Sequence, residues 1–92
     1  NKHVINEIKA MKDVCISLFA KADKKGLVDE VSTLEEKTDN MTKEYRVNML
    51  KRLQNGICTS EGSIIYSEIL IDFERVGDHL LNVSENFNKI NV

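Results

Sequence analysis

Hydrophobic residues recur along the chain at alternating steps of three and four, which is the spacing of a single buried stripe on an α-helix. In the first segment this stripe consists of Val4, Ile8, Met11, Cys15, Leu18 and Ala22. Lysines crowd the end of the segment, where cations complement the helix dipole, and Gly26 follows them. The first helix is therefore predicted to end near Lys24, with Gly26 as a left-handed cap.

The second segment predicts a longer helix, about 28 residues or roughly 40 Å in length. Its stripe consists of Leu27, Val31, Leu34, Thr38, Met41 and Tyr45, followed by Met49 and Leu53. The repeat shifts by one residue near Tyr45. Asn55 and Gly56 predict the end of this helix, and Thr59 or Ser60 can cap the next one.

The third segment keeps the helical spacing without a break. Its stripe consists of Tyr66, Ile69, Phe73, Val76, Leu80, Val83, Phe87 and Ile90. No segment shows the alternation of a β-strand. Three amphipathic helices joined by two short glycine-containing turns predict an all-α fold, an up-down-up antiparallel three-helix bundle similar to a spectrin repeat, in one domain over residues 1–92.

Composition and charge exclude several classes of protein. With 15 acidic and 13 basic residues, the chain lacks the basic surface that nucleic-acid binding requires. Its apolar runs are far shorter than the roughly 18 to 20 residues that span a bilayer, so no membrane insertion is expected. Phosphate-loop, serine-hydrolase and zinc-protease motifs are absent, so we expect no enzyme. Because the chain begins with Asn1 rather than Met, we expect a domain of a longer protein.

Two pairs of carboxylates are the candidate chemistry. Glu35 and Asp39 are four residues apart, as are Glu74 and Asp78, so each pair lies on one face of its helix. Carboxylate oxygens favour hard cations, which would relieve the repulsion within each pair. Taking Tyr66 as heptad position a puts Glu74 and Asp78 at b and f, away from the core. The spacing alone is equally typical of a solvated acidic face, because about two such pairs are expected by chance.

The third helix also carries apolar residues outside its stripe. Ile65, Ile71 and Leu81 would leave apolar surface uncovered by a three-helix core, and we expect a further helix or a partner subunit to cover it. A homo-oligomer is therefore predicted. Gly77 costs about 1 kcal/mol relative to Ala inside a helix, which indicates a close backbone approach at that position.

Two stretches of the sequence resemble a known domain. The third segment contains the run Asp72-Phe73-Glu74-Arg75-Val76-Gly77-Asp78-His79-Leu80-Leu81-Asn82-Val83-Ser84-Glu85. This run resembles the D-L-E-R-I-G-D-H-x-x-N-I-A-E signature of PhoU domains, with Ser84 in place of the usual Ala. The second segment contains Glu35-Glu36-Lys37-Thr38-Asp39 and, further on, Arg52-Leu53 with Gly56 and Cys58. It resembles the same domain as it follows the membrane part of bacterial sodium/phosphate cotransporters.

The resemblance implies a helical regulatory domain of phosphate uptake. In such a transporter the domain would be cytoplasmic, tethered to the cell membrane through the transmembrane part of the same protein, which is its expected partner. Some members bind metal through E-x-x-x-D motifs, often as multinuclear clusters. Glu35 and Asp39 match one motif and Glu74 and Asp78 the other, so the resemblance implies that these four residues bind iron, manganese, magnesium or calcium.

Two other interpretations fit the same sequence. The chain could be one repeat of a soluble PhoU phosphate-signalling protein, which contains two such three-helix units. It could also be a plain helical oligomerisation module, in which the carboxylates bind no metal and are only solvated surface.

Overall fold

The structure is a computed structural model that describes residues 2–89, with the side chains of Phe87 and Asn88 excepted. It contains three helices: α1 (Lys2–Ala22), α2 (Val28–Gln54) and α3 (Ser60–Lys89). Each helix packs against the other two, and together they form a rod of 55 × 17 × 14 Å. The predicted all-α three-helix bundle is confirmed. Of the predicted stripe of α3, the Phe87 side chain and Ile90 lie outside the described part of the chain.

Both turns are formed as the sequence predicts. Gly26 and Gly56 have φ values of 88° and 71°, the left-handed conformation that ends a helix at little cost for glycine alone. The Thr59 hydroxyl accepts a hydrogen bond from the Gly62 amide at 3.0 Å, which caps α3. α1 ends at Ala22, slightly before the predicted Lys24.

The core consists of two apolar clusters along the rod. One contains Val14, Leu18, Ala22, Val31 and Leu80, and the other contains Met11, Met49, Tyr66 and Leu70. Every cluster combines residues from all three helices, so the bundle is held together by the stripes that the sequence predicts for α1 and α2.

The buried face of α3 is rotated from the predicted stripe. Leu70 and Gly77 are buried, whereas Phe73 and Val76 are only partly buried. The reason is the contact with α2, because a Cβ atom on Gly77 would lie 3.6 Å from the Thr38 side chain. This distance is an ordinary van der Waals contact, so α3 lies beside Thr38 at Gly77 but leaves room for the Cβ atom of an alanine. Small residues rather than large apolar ones therefore form this part of the interface.

Ser84 occupies the position where the PhoU signature has Ala. Its side chain is fully buried, and its hydroxyl has no hydrogen-bond partner among the described residues. A buried hydroxyl without a partner costs about 1 to 3 kcal/mol. The structure thus explains in physical terms why an alanine suits this position.

A buried ion pair connects the three helices near one end of the rod. The Glu7 carboxylate of α1 accepts hydrogen bonds from Arg52 Nη2 of α2 and from the Tyr66 hydroxyl of α3, both at 2.8 Å. Asn48 Nδ2 donates to the other carboxylate oxygen at 3.0 Å. The Arg52 guanidinium also lies over the Tyr66 ring, with 5.8 Å from Cζ to the ring centroid. One carboxylate therefore holds a group from each of the two other helices.

The charges of this network are set by the hydrogen bonds. Burial raises the pKa of Glu7, but the hydrogen bonds from Arg52, Asn48 and Tyr66 and the charge of Arg52 outweigh it, so the pKa of Glu7 is lowered. The pKa of Tyr66 is raised by burial and by its hydrogen bond to Glu7. The network consequently contains a carboxylate, a guanidinium and a neutral phenol.

The three helices are amphipathic rather than uniformly apolar. Within residues 2–89, none is both long enough and apolar enough to cross a membrane.

We predict that Glu7→Gln lowers the free energy of unfolding by about 3 kcal/mol at neutral pH, because it leaves the Arg52 guanidinium buried without its counter-ion. The lowered pKa of Glu7 means that its contribution is present above the ordinary range of a glutamate and is lost as the pH falls through its folded-state pKa. Urea unfolding of wild type and Glu7→Gln across this range measures both effects.

The exposed Glu68 of α3 provides the matched control, since Glu68→Gln makes the same change of charge outside any buried network. It should change the stability by less than about 0.5 kcal/mol. Equal stabilities of Glu7→Gln and Glu68→Gln at neutral pH would show that the network does not stabilise the bundle.

Candidate metal centre

Three carboxylates meet in the groove between α2 and α3. Glu35 and Asp39 lie one turn apart on α2, and Asp78 lies on α3. One carboxylate oxygen of each lies within 4.8 Å of the others. Glu35 and Asp39 are partly buried, and Asp78 is exposed at the rim of the groove. The structure therefore brings together three of the four carboxylates that the sequence singles out.

The close approach of the two helices positions these side chains. Gly77 precedes Asp78, and a Cβ atom on Gly77 would lie 3.8 Å from Cγ of Glu35. A large side chain at position 77 would push α3 away from Glu35. The backbone of α3 runs beside α2 at this point, and the short Asp78 side chain reaches the carboxylates of α2.

The electrostatics of the cluster favour a bound positive charge. Burial, hydrogen bonding with Asp78 and Asp39, and the negative charges of both raise the pKa of Glu35 from 4.5 to about 8. None of the ion pairs formed by residues 2–89 includes Glu35, Asp39 or Asp78. Near neutral pH, Glu35 retains a proton because no side-chain cation lies in the cluster to offset its charge.

Glu74, the fourth carboxylate, is engaged elsewhere. Its Oε1 atom lies 3.2 Å from Nη2 of Arg46, in an ion pair between α3 and α2. Both side chains are about one-third exposed, at 33% for Glu74 and 37% for Arg46. Arg46 is a residue that the spacing of the carboxylates gives no reason to single out, because the contact depends on how α2 and α3 are aligned.

The donor set of the cluster fits a hard cation. Carboxylate oxygens are the ligands that Mg²⁺, Ca²⁺, Mn²⁺ and Fe³⁺ prefer, and no Cys or His belongs to the group to favour zinc. Three carboxylates from two helices would hold such an ion on one side and leave its other positions to water or to further ligands. Their chemistry is therefore that of a binding site, with a positive charge that joins α2 to α3.

The apolar residues singled out on α3 differ in their exposure. Ile65 and Ile71 are 60% and 40% exposed, and Ile64, two helical turns before Ile71, is 61% exposed. Leu81 is partly buried and packs against the core cluster that contains Leu80. The exposed apolar surface of α3 therefore includes Ile64, Ile65 and Ile71, while Leu81 contributes to the core.

Comparison with known proteins agrees with the architecture and with the motifs. The family model of the PhoU domain matches residues 2–87, which includes all three helices and the carboxylate cluster. No curated protein and no solved structure matches the chain. The chain therefore belongs to the PhoU domain family, a family of regulatory domains associated with phosphate.

Proposed function

We propose that this chain is the cytoplasmic, metal-binding regulatory domain of a sodium-dependent phosphate transporter. The observation that carries the metal function is the meeting of Glu35, Asp39 and Asp78 in one groove, with their oxygens within 4.8 Å of one another, in a member of the PhoU family. A hard metal ion, alone or in a multinuclear cluster, would bind these carboxylates. Iron, manganese, magnesium and calcium all fit the oxygen donors.

A bound ion would act on the contact between α2 and α3. Without it, the three carboxylates repel one another once Glu35 has lost its proton, above about pH 8, and this repulsion weakens the contact between α2 and α3. With it, the same carboxylates hold the two helices together, and binding stabilises the folded state by mass action. Metal occupancy would in this way set the rigidity of one region of the rod, and the transmembrane part of the transporter is the proposed recipient of that signal.

We predict that Glu35→Gln removes most of the stabilisation by metal. In chelator at alkaline pH the variant should melt at a higher temperature than wild type, because it removes a crowded negative charge. On addition of Mn²⁺ at neutral pH, wild type should gain several degrees, as expected for an ion well above its Kd, and Glu35→Gln should gain little. Melting curves by circular dichroism, with metal content from elemental analysis, measure both effects.

The sign of the pH dependence follows from the raised pKa of Glu35. The unfolded chain loses this proton near 4.5 and the folded chain near 8, so the folded metal-free protein loses stability as the pH rises between these values. Glu35→Gln should not show this loss. Glu36→Gln, an adjacent exposed change of the same charge, is the control and should behave as wild type. Equal metal content and equal melting in wild type and Glu35→Gln would rule out the metal function.

The exposed apolar surface of α3 supports a homo-oligomer. We predict that light scattering shows the mass rising from the 10.5 kDa monomer towards that of a dimer as the concentration increases. Ile65→Lys/Ile71→Lys should remain monomeric over the same series, because a buried lysine at the interface is costly. Val47→Lys on α2, where Val47 is 51% exposed, should dimerise as wild type does. A monomeric wild type at every concentration would contradict the prediction.

The transporter context can be tested on the complete coding sequence. The resemblance of Arg52-Leu53, Gly56 and Cys58 to the cotransporter pattern supports it. We predict a region with several membrane-spanning segments encoded upstream of Asn1. A second copy of the signature without any membrane region would instead favour the soluble phosphate-signalling protein. A dimer that binds no metal would favour the plain oligomerisation module.

A further inference from the structure

On α2, the carboxylates of the cluster belong to a row of polar side chains that ends at an arginine. Glu35, Asp39, Thr42 and Arg46 recur at steps of four, three and four, so they lie on the same face of the helix. Across the groove, Glu74 and Asp78 lie one turn apart on α3. Arg46 closes the row by its ion pair with Glu74, at 3.2 Å between Nη2 and Oε1. A guanidinium of the protein therefore lies at the end of an otherwise acidic groove.

Arg46 separates two carboxylates that share one helix face. Asp78 points into the cluster with Glu35 and Asp39, whereas Glu74, one turn earlier, is bound to the guanidinium. Glu74 and Asp78 are one helical turn, about 6 Å, apart along the axis of α3. The Glu74 carboxylate is bound to Arg46 and lies outside the cluster that contains Asp78.

Resting on the proposed metal function, we propose that Arg46 controls how many carboxylates serve the metal centre. While the guanidinium holds Glu74, three carboxylates face the ion. Release of Glu74 adds a fourth, so Arg46 and the metal ion compete for the same side chain. Arg46 is on this proposal a regulatory residue of the centre, one that lowers its affinity without being a ligand.

The two Arg–Glu pairs between helices show why this contact can be displaced. The pair of Arg52 and Glu7 is close, at 2.8 Å, and both side chains are only 10% exposed. The pair of Arg46 and Glu74 has a single longer contact and is about one-third exposed, so water screens it. A divalent ion carries twice the charge of a guanidinium and binds carboxylates directly. It can therefore compete more readily for Glu74 than for Glu7.

Mn²⁺ titration of the full chain, followed by the electron paramagnetic resonance signal of free Mn²⁺, tests the proposal. Arg46→Gln should bind Mn²⁺ about tenfold more tightly than wild type, because a positive charge leaves and a fourth carboxylate joins. Arg75→Gln is the matched control. Arg75 is 79% exposed and lies 4.0 Å from Asp72, so its replacement changes the net charge equally without freeing Glu74. Arg46→Lys, which keeps the charge, should bind as wild type does.

A double-mutant cycle separates release of Glu74 from a general change of charge. In the Glu74→Gln background, Arg46→Gln should gain no more affinity than Arg75→Gln. The proposal is wrong if Arg46→Gln binds Mn²⁺ no better than Arg75→Gln, or if its advantage persists without Glu74. If neither wild type nor Arg46→Gln binds Mn²⁺, the proposed metal function fails and this inference fails with it. Binding by wild type with no effect of Arg46 would reject the inference alone.

Discussion

The arrangement of the bundle depends on the close approach of α2 and α3 beside Gly77. Apolar burial stabilises all three helix pairs, and at Gly77 the backbone of α3 lies beside the Thr38 and Glu35 side chains of α2. Leu70, Gly77 and Leu80 are buried on this side of α3, and Asp78, next to Gly77, meets Glu35 and Asp39. A large side chain at position 77 would separate the two helices and move Asp78 away from the carboxylates of α2.

The surroundings of two carboxylates, Glu7 and Glu35, shift their pKa values in opposite directions. Glu7 is surrounded by donors, which lower its pKa and keep it ionised within the core. Burial and the neighbouring carboxylates of Asp78 and Asp39 raise the pKa of Glu35 to about 8, so it is protonated near neutrality. The hydrogen-bond donors and the positive charge around Glu7 all come from the protein, and they stabilise it. Among the described residues, the cluster around Glu35 contains no positive charge, and an ion from solution can supply one. The contrast distinguishes a structural carboxylate from one available for binding.

Periodicity and turn chemistry were sufficient to predict the helices, their order, the left-handed Gly26 and the end of α2 at Asn55 and Gly56. They did not predict which face of α3 is buried, because the buried Gly77 and Ser84 do not register as hydrophobic positions. The motifs identified Glu35, Asp39 and Asp78, yet the position of Glu74 depends on a partner from another helix. Arg46 meets Glu74 only because of the relative alignment of α2 and α3, which is a property of three-dimensional packing. The network of Glu7, Arg52 and Tyr66 also depends on how the helices pack, so it could not be predicted from the spacing of residues in the sequence.

The position of that network along the rod has a mechanical consequence. Glu7 lies near the start of α1, Arg52 near the end of α2 and Tyr66 near the start of α3, so all three helices are fastened together at one end. The carboxylate groove lies towards the other end, beyond the fastening. A change in the spacing of α2 and α3 at the groove would therefore displace the neighbouring turn between α1 and α2 more than the end that contains the ion pair. The apolar cluster of Val14, Leu18, Ala22, Val31 and Leu80 would have to adjust to such a change.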